Sequence, residues 1–437
     1  MNEVVAPERP GLTFVTPRVR AGLRAWAPTI GAVVVCLVVL AVWTEAFYDD
    51  GHPVTDHAAY EEQAEQLRDG RLFAPADAEM VPFALQFTAP TADGRVFKYL
   101  PGTAALGAVS LTLTGGVGAA QYAALALLIV ATAGAAAVLG WSPRRRAVAA
   151  LLVGASPVVL STDAVLLSYV PALALLTVAL WLVLTATLTR ASDRRTLVLL
   201  GAAGLVIGAS LLVRQIEVLA WLLVLCGWCA LRPGPAPRRR VEQVLALGLG
   251  IVPGLVLVLA FNNHVTGDAL RLPFTVVSPD DGLGWGLRRV LPDDNFERFR
   301  LVDGLRTIPR ATFDLLMWTL LGPALAVGAA VALWVRRRSP AHWLLAALAA
   351  SAPVAFLFHW ANAHAIWAQF YMSVGPFYYL PCVPPLVLLG VEGLSRLPRR
   401  AVLAGVAIAL AAQTLFLAAH LHDWVDRDET VVATEAP

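Results

Sequence analysis

Ala25-Trp26-Ala27-Pro28-Thr29-Ile30-Gly31-Ala32-Val33-Val34-Val35-Cys36-Leu37-Val38-Val39-Leu40-Ala41-Val42-Trp43-Thr44-Glu45-Ala46-Phe47 is an apolar stretch of 23 residues with one acid near its end. A membrane-crossing helix needs about 20 such residues, so this stretch reads as a span. Arg18, Arg20 and Arg24 precede it, and the polar segment Tyr48-Asp49-Asp50-Gly51-His52 follows. The same alternation of apolar runs and arginine clusters continues along the chain. The clusters are Arg144–Arg146, Arg190/Arg194/Arg195, Arg232 with Arg238–Arg240, Arg336–Arg338 and Arg396/Arg399/Arg400. The positive-inside rule places them all in the cytoplasm.

Composition agrees. Of 437 residues 58% are hydrophobic and 15% charged, and the mean hydropathy is +0.67. A soluble domain carries about 25% charge, so soluble, disordered, collagenous and disulfide-stapled classes are excluded. The net charge of +2 gives no case for nucleic acid.

With the clusters inside, the expected spans are 25–47, 118–140, 147–162, 165–189, 196–213, 218–231, 241–262, 312–335, 341–360, 374–393 and 401–420, about eleven in all. The expected organisation is a cytoplasmic segment over 1–24, a polytopic domain over 25–420 with outer loops at 48–100 and 263–311, and an extracytoplasmic tail over 421–437. Pro101–Leu113 is too short to cross alone and reads as a half-inserted or interfacial helix. Residues 1–24 do not read as a cleaved signal peptide, because the following apolar run is too long for an h-region. Function is expected at the outer face, where the two polar segments meet the helix ends.

Of the 33 basic residues only Lys98 is a lysine. It lies in Gly94-Arg95-Val96-Phe97-Lys98-Tyr99-Leu100-Pro101-Gly102-Thr103, facing the headgroup region ahead of a Pro-Gly turn. There it either binds a lipid phosphate or snorkels at the interface. The first outer segment carries Thr55-Asp56-His57-Ala58-Ala59-Tyr60, opening an amphipathic helix with Tyr60, Ala64 and Leu67 on one face. Asp56 is either a cap of that helix or a general base whose pKa is raised by partial desolvation.

Arg214 and Glu217, spaced i, i+3 in an apolar stretch, can pair on one helix face. Charges in such stretches are costly, and they are functional or form an ion pair between helices. Asp163 is a second outer carboxylate that could join Asp56 around an acceptor. Cys226-Gly-Trp-Cys229 has redox-motif spacing but sits in an apolar run without a βαβ pattern, so it is read as helix packing. His359, Trp360, Asn362, His364, Trp367, Gln369 and Tyr371 crowd another outer loop, without recognised metal-ligand spacing.

These motifs, in this order, resemble the GT-C membrane glycosyltransferases, which include the protein O-mannosyltransferases and aminoarabinose transferases. Thr55-Asp56-His57-Ala58-Ala59-Tyr60 looks like their acidic motif after the first span, with His57 where many relatives have a second acid. Lys98-Tyr99-Leu100-Pro101-Gly102 is similar to their Lys/Tyr-Pro-Pro-Gly segment. Asn262-Asn263-His264-Val265-Thr266-Gly267, continuing to Pro273-Phe274, resembles a motif of a bacterial branch, as do Gly282–Gly286 and Gly375–Tyr379. The resemblance spans about residues 45–400.

The resemblance implies an all-α polytopic fold with two extracytoplasmic loop segments. It also implies an inverting glycosyltransferase, hexosyl or pentosyl, that moves sugar from a polyprenyl-phosphate donor to a glycan, lipid or protein hydroxyl. Carried over, Asp56 is the catalytic base and Lys98 and Arg214 hold the donor phosphate. Asp163, Glu217, His57 and Tyr60 are acceptor contacts or orienters, Tyr60 chiefly by packing. No metal ligand is assigned; a divalent metal stays open without support from ligand spacing. The expected location is the plasma membrane, with the N-terminus cytoplasmic and the C-terminus and site outside. The competing reading, a transporter or lipid flippase, predicts repeats and mid-membrane broken helices, whereas the polar residues gather at one face.

Overall fold

The computed structural model describes residues 17–48, 55–76, 80, 82–189, 192–290, 295–367 and 375–435. Asp49, Asp50, Gln369 and Tyr371 lie outside them. In chain order the elements begin with α1 (Pro17–Tyr48), α2 (Thr55–Arg68), the single turn α3 (Pro82–Leu85), β1 (Thr88–Thr91), β2 (Gly94–Phe97), α4 (Gly102–Thr114) and α5 (Gly118–Val138). Next come α6 (Pro143–Gly154), α7 (Pro157–Asp163), α8 (Tyr169–Leu188), α9 (Asp193–Leu211), α10 (Ile216–Leu231), α11 (Pro237–Thr266) and α12 (Pro273–Val277). The chain closes with β3 (Gly286–Arg288), β4 (Glu297–Phe299), α13 (Leu301–Trp318), α14 (Gly322–Val335), α15 (Pro340–Ala355), α16 (Trp360–Trp367), α17 (Val383–Leu394) and α18 (Arg399–Glu435). The strands form two antiparallel two-stranded ribbons, both in the outer segments expected from sequence.

Among the described residues 8 helices are long and apolar enough to cross a membrane, or up to 10 if two bent pairs count as one span each. The count near eleven is therefore not reproduced, for three local reasons. The expected span 147–162 is α6 and α7, bent by 57° at Ala155-Ser156. The expected span 312–335 covers the end of α13 and all of α14, which meet at 109°. The stretch 218–231 falls in α10, a 16-residue helix of sub-span length. Pro101–Leu113 is helical as α4, again short of a span.

Helix starts follow sequence chemistry. Ser142-Pro143, Ser156-Pro157 and Ser339-Pro340 each place an extended serine before a proline at the first helical position, where the missing N–H costs nothing and φ is preset. Helix pairing uses small residues. α9 and α11 approach along Gly204/Gly250 and Gly208/Gly254, and α14 and α17 along Gly328/Gly390/Gly393. Lipid tails are as apolar as leucine, so such close backbone packing supplies the association energy.

At one end of the bundle Arg145, Arg336 and Arg396 converge on Glu392, at 2.6, 3.7 and 2.7 Å. Members of three sequence clusters thus share one face. Arg239 pairs with Asp193 and Arg232 donates to Gln243 (3.1 Å), joining two more clusters. Cys226 and Cys229 lie on α10 as free thiols.

One contact fixes the opposite face. The Gly102 N–H donates to the Leu212 carbonyl at 2.9 Å, and a Cβ there would sit 2.6 Å from that oxygen and 2.8 Å from Val213 Cγ2. This approach locks the start of α4 against the α9–α10 break, and Lys98 and Arg214 both act on Asp56. Gly102→Val is expected to destabilise the protein by about 1–3 kcal/mol through overpacking, read as a lower melting temperature of the purified protein.

Candidate active site

The charged cluster is built from the start of α2, the loop after β2, the α9–α10 break and the loop before β3. α2 follows the expected amphipathic pattern: Tyr60 and Ala64 are buried, Leu67 packs beside them, and Glu61, Glu62 and Glu65 face away. Asp56 lies in its first turn. Its carboxylate accepts a hydrogen bond from the Tyr99 hydroxyl and feels Lys98 and Arg214. Burial pushes the Asp56 carboxyl above the usual range, outweighing the pull of Lys98, Tyr99 and Arg214. Burial, reinforced by the neighbouring Asp56 charge, pushes the Tyr99 phenol well up, so it keeps its proton and donates.

Lys98 does not snorkel. It is 3% exposed, and its ammonium sits 3.6 Å from Asp281 Oδ2, 4.5 Å from the Phe274 ring centroid and 5.4 Å from that of Phe87. The β1–β2 hairpin aims it: the pairing runs from Thr88↔Phe97 to Thr91↔Gly94, and the Lys98 N–H donates to the Phe87 carbonyl at 2.8 Å.

Arg214 and Glu217 pair as expected, at 2.6 Å. They do not share a helix, however: Arg214 lies in the α9–α10 break and Glu217 in the first turn of α10. Arg214 also donates to Ser168 (3.0 Å) and stacks on Tyr169 (3.9 Å), with Tyr378 at 5.8 Å. Tyr60 hydrogen-bonds Ser168 and stacks on Tyr99 at 4.5 Å and 20°. A polar chain therefore runs from α2 through the start of α8 to Arg214.

The remaining expected residues fall outside this core. His57 accepts from the Leu166 N–H at 2.8 Å and faces Glu61 at 3.5 Å, which ties α2 to the α7–α8 loop. Asp163 is buried at the end of α7, its Oδ2 without a hydrogen-bond partner among the described residues. The groups acting on Asp56 are Lys98, Tyr99 and Arg214. The Asn262…Thr266-Gly267 motif is architectural. Asn262 donates to the Ala269 carbonyl and Thr266 to the Asn262 carbonyl, while Gly267 ends α11 at φ +76°. Its Pro-Phe end reaches the site as Phe274 over Lys98.

One residue escaped the sequence reading, and another was named there without a role. Asp281 lies in the polar run Ser278-Pro279-Asp280-Asp281-Gly282, which has no periodicity to mark an inward residue; its only signal was proximity to the Gly282–Gly286 motif. Burial, partly offset by Lys98, pushes its carboxyl up to about 6. His359 was flagged as a metal ligand candidate without a role. It is buried near Lys98 and Arg214, and burial pushes its imidazole down to about 3, keeping it neutral. Leu283 bridges to it across the chain. Among the described residues no group of three or more His, Cys, Asp or Glu gathers as a metal site.

Helices crossing a membrane, broken spans and a charged cleft beside the two polar segments define an all-α, multi-pass membrane protein. No family model matches the chain, and no curated protein does. Solved structures do. ArnT from Cupriavidus metallidurans bound to undecaprenyl phosphate is similar at 18% identity and a TM-score of 0.56, over 87% of this chain and 63% of that one. The apo oligosaccharyltransferase of Archaeoglobus fulgidus is similar at 13% identity and a TM-score of 0.53, over 90% and 56%. AglB from the same organism, in complex with an inhibitory peptide and a dolichol-phosphate, gives 13% and 0.51, over 90% and 55%. The chain spans 55–63% of the length of those chains. All are GT-C superfamily members, and the chain shares their fold.

Proposed function

We propose that the protein transfers a sugar from a polyprenyl-phosphate donor to a hydroxyl acceptor at the outer face of the membrane, with inversion at the anomeric carbon. The observation that carries this reading is the juxtaposition of a partly open, desolvated carboxylate, Asp56, with two cations, Lys98 and Arg214, on a GT-C fold. The binding of undecaprenyl phosphate to ArnT and of a dolichol-phosphate to AglB supports a lipid-linked donor.

In the proposed step Asp56 takes the acceptor hydroxyl proton as that oxygen attacks the anomeric carbon from the side opposite the phosphate. The bond from the anomeric carbon to the phosphate oxygen breaks, and its electron pair leaves on the phosphate. Lys98 and Arg214 stabilise the charge that develops there. Tyr99 orients the Asp56 carboxylate, and neutral His359 adds no charge to the cleft. The extracytoplasmic orientation of the cleft, the plasma membrane location and the outer tail belong to the same proposal.

The test supplies membranes containing the protein with radiolabelled polyprenyl-phosphate sugars, hexosyl and pentosyl. Incorporation from one donor is expected; flux of lipid without sugar transfer would favour the flippase reading. A base must be ionised to act, and Asp56 has a raised pKa. Transfer is therefore expected to be full above that pKa and to decline as pH falls through it, at a higher pH than for an ordinary carboxyl near about 3.9.

A further inference from the structure

Lys98, the cation that acts most strongly on Asp56, already has a counter-ion. Asp281 is 1% exposed, its Oδ2 pairs with Lys98 at 3.6 Å, and its Oδ1 is buried without a hydrogen-bond partner among the described residues. Phe87 and Phe274 cover other faces of the ammonium. A phosphate that reaches Lys98 must therefore enter the space that the Asp281 carboxylate faces.

The charges make that arrival unfavourable. Asp56, Lys98 and Asp281 sum to −1 when both acids are ionised, and a phosphodiester brings a further negative charge. The other groups acting on Asp281 are Asp56 on α2, which opposes its ionisation, and Arg288 on β3, which favours it. Arg288 also donates to the Leu283 and Gly284 carbonyls. The neighbouring Asp280 is engaged by Arg289 at 2.8 Å, and His359, close to Lys98, is neutral. No further cation is recorded beside Asp281 among the described residues, so the conflict falls on Asp281 itself.

We propose that Asp281 and the donor phosphate compete for Lys98, and that donor binding is coupled to uptake of one proton from solvent by Asp281. The inference rests on the donor-phosphate reading above. Asp281 is thus a positioning residue: it holds Lys98 beside Asp56 and sets the pH at which an anionic lipid is admitted. The carboxyl is poised for this, since burial has already brought it up to about 6, and a phosphate beside it raises it further. Binding that takes up a proton strengthens as pH falls.

The experiment measures binding of a radiolabelled undecaprenyl methyl phosphate to the purified protein in nanodiscs, from about pH 5.5 to about pH 7.5. The diester carries one charge that does not titrate in this range, so any slope belongs to the protein. Wild type is expected to bind about tenfold more tightly at the acid end. Asp281→Asn is expected to bind close to the acid-end affinity of wild type and to lose most of the slope, what remains belonging to Asp56. A flat wild-type profile overturns the inference even if Asp281→Asn does not fold, and so does an unchanged slope in Asp281→Asn. Absence of diester binding by wild type at every pH overturns the donor-phosphate reading and this inference with it, whereas binding with the wrong slope overturns this inference alone.

Discussion

Asp56→Asn is expected to lower sugar transfer by about 10²–10⁴-fold, the range associated with loss of a positioned general base, while the protein folds as before or melts higher. The two halves of this expectation have one cause. The Asp56 carboxyl is held above its usual range by burial, so the ionised form is destabilising in the folded protein at neutral pH. Asparagine removes that charge and keeps an oxygen to accept from Tyr99. Lys98 retains Asp281 as its partner at 3.6 Å, so no buried cation is orphaned. A residue that merely capped α2 would leave transfer near normal and stability little changed, because asparagine caps a helix as well as aspartate does. Initial rates of transfer and the melting temperature, taken on the same preparation, separate the two. Wild-type rates in Asp56→Asn would remove Asp56 from the mechanism.

How much of this was legible follows from what each feature depends on. The membrane class and α2 rest on local patterns, apolar runs between arginine clusters and an amphipathic repeat, and both were read correctly. Lys98 stood out by composition, and Arg214 with Glu217 by the cost of charge in an apolar stretch. The count of about eleven spans is not confirmed, because hydropathy sums length without seeing bends. Nothing in the apolarity of 312–335 reveals that α13 and α14 meet at 109°. Asp281 was invisible for a related reason. Its partner, Lys98, lies far away in the chain, and the ribbon and α12 that bring them together are short elements in polar segments. Asp163 drew notice as an outer carboxylate, and nothing in the sequence marks its burial at the end of α7.

Arg214→Met carries the second large expected effect, on stability as well as transfer. Glu217 is 2% exposed, and Arg214 is its recorded ion-pair partner at 2.6 Å. Removing one member of a buried pair leaves an uncompensated charge and costs about 3–5 kcal/mol. Here the loss includes the stack on Tyr169 and the hydrogen bond to Ser168, so the polar chain between α2, α8 and α10 opens as well. Replacing both partners, Arg214→Met with Glu217→Met, is expected to restore most of the stability, because similar-sized apolar residues can take the place of a buried pair at little net cost. Transfer should not return with it. If Arg214 acts only as a structural partner of Glu217, the double variant regains activity along with its melting temperature. If it holds the donor phosphate, the double variant is stable, Lys98 faces the phosphate alone, and transfer remains low.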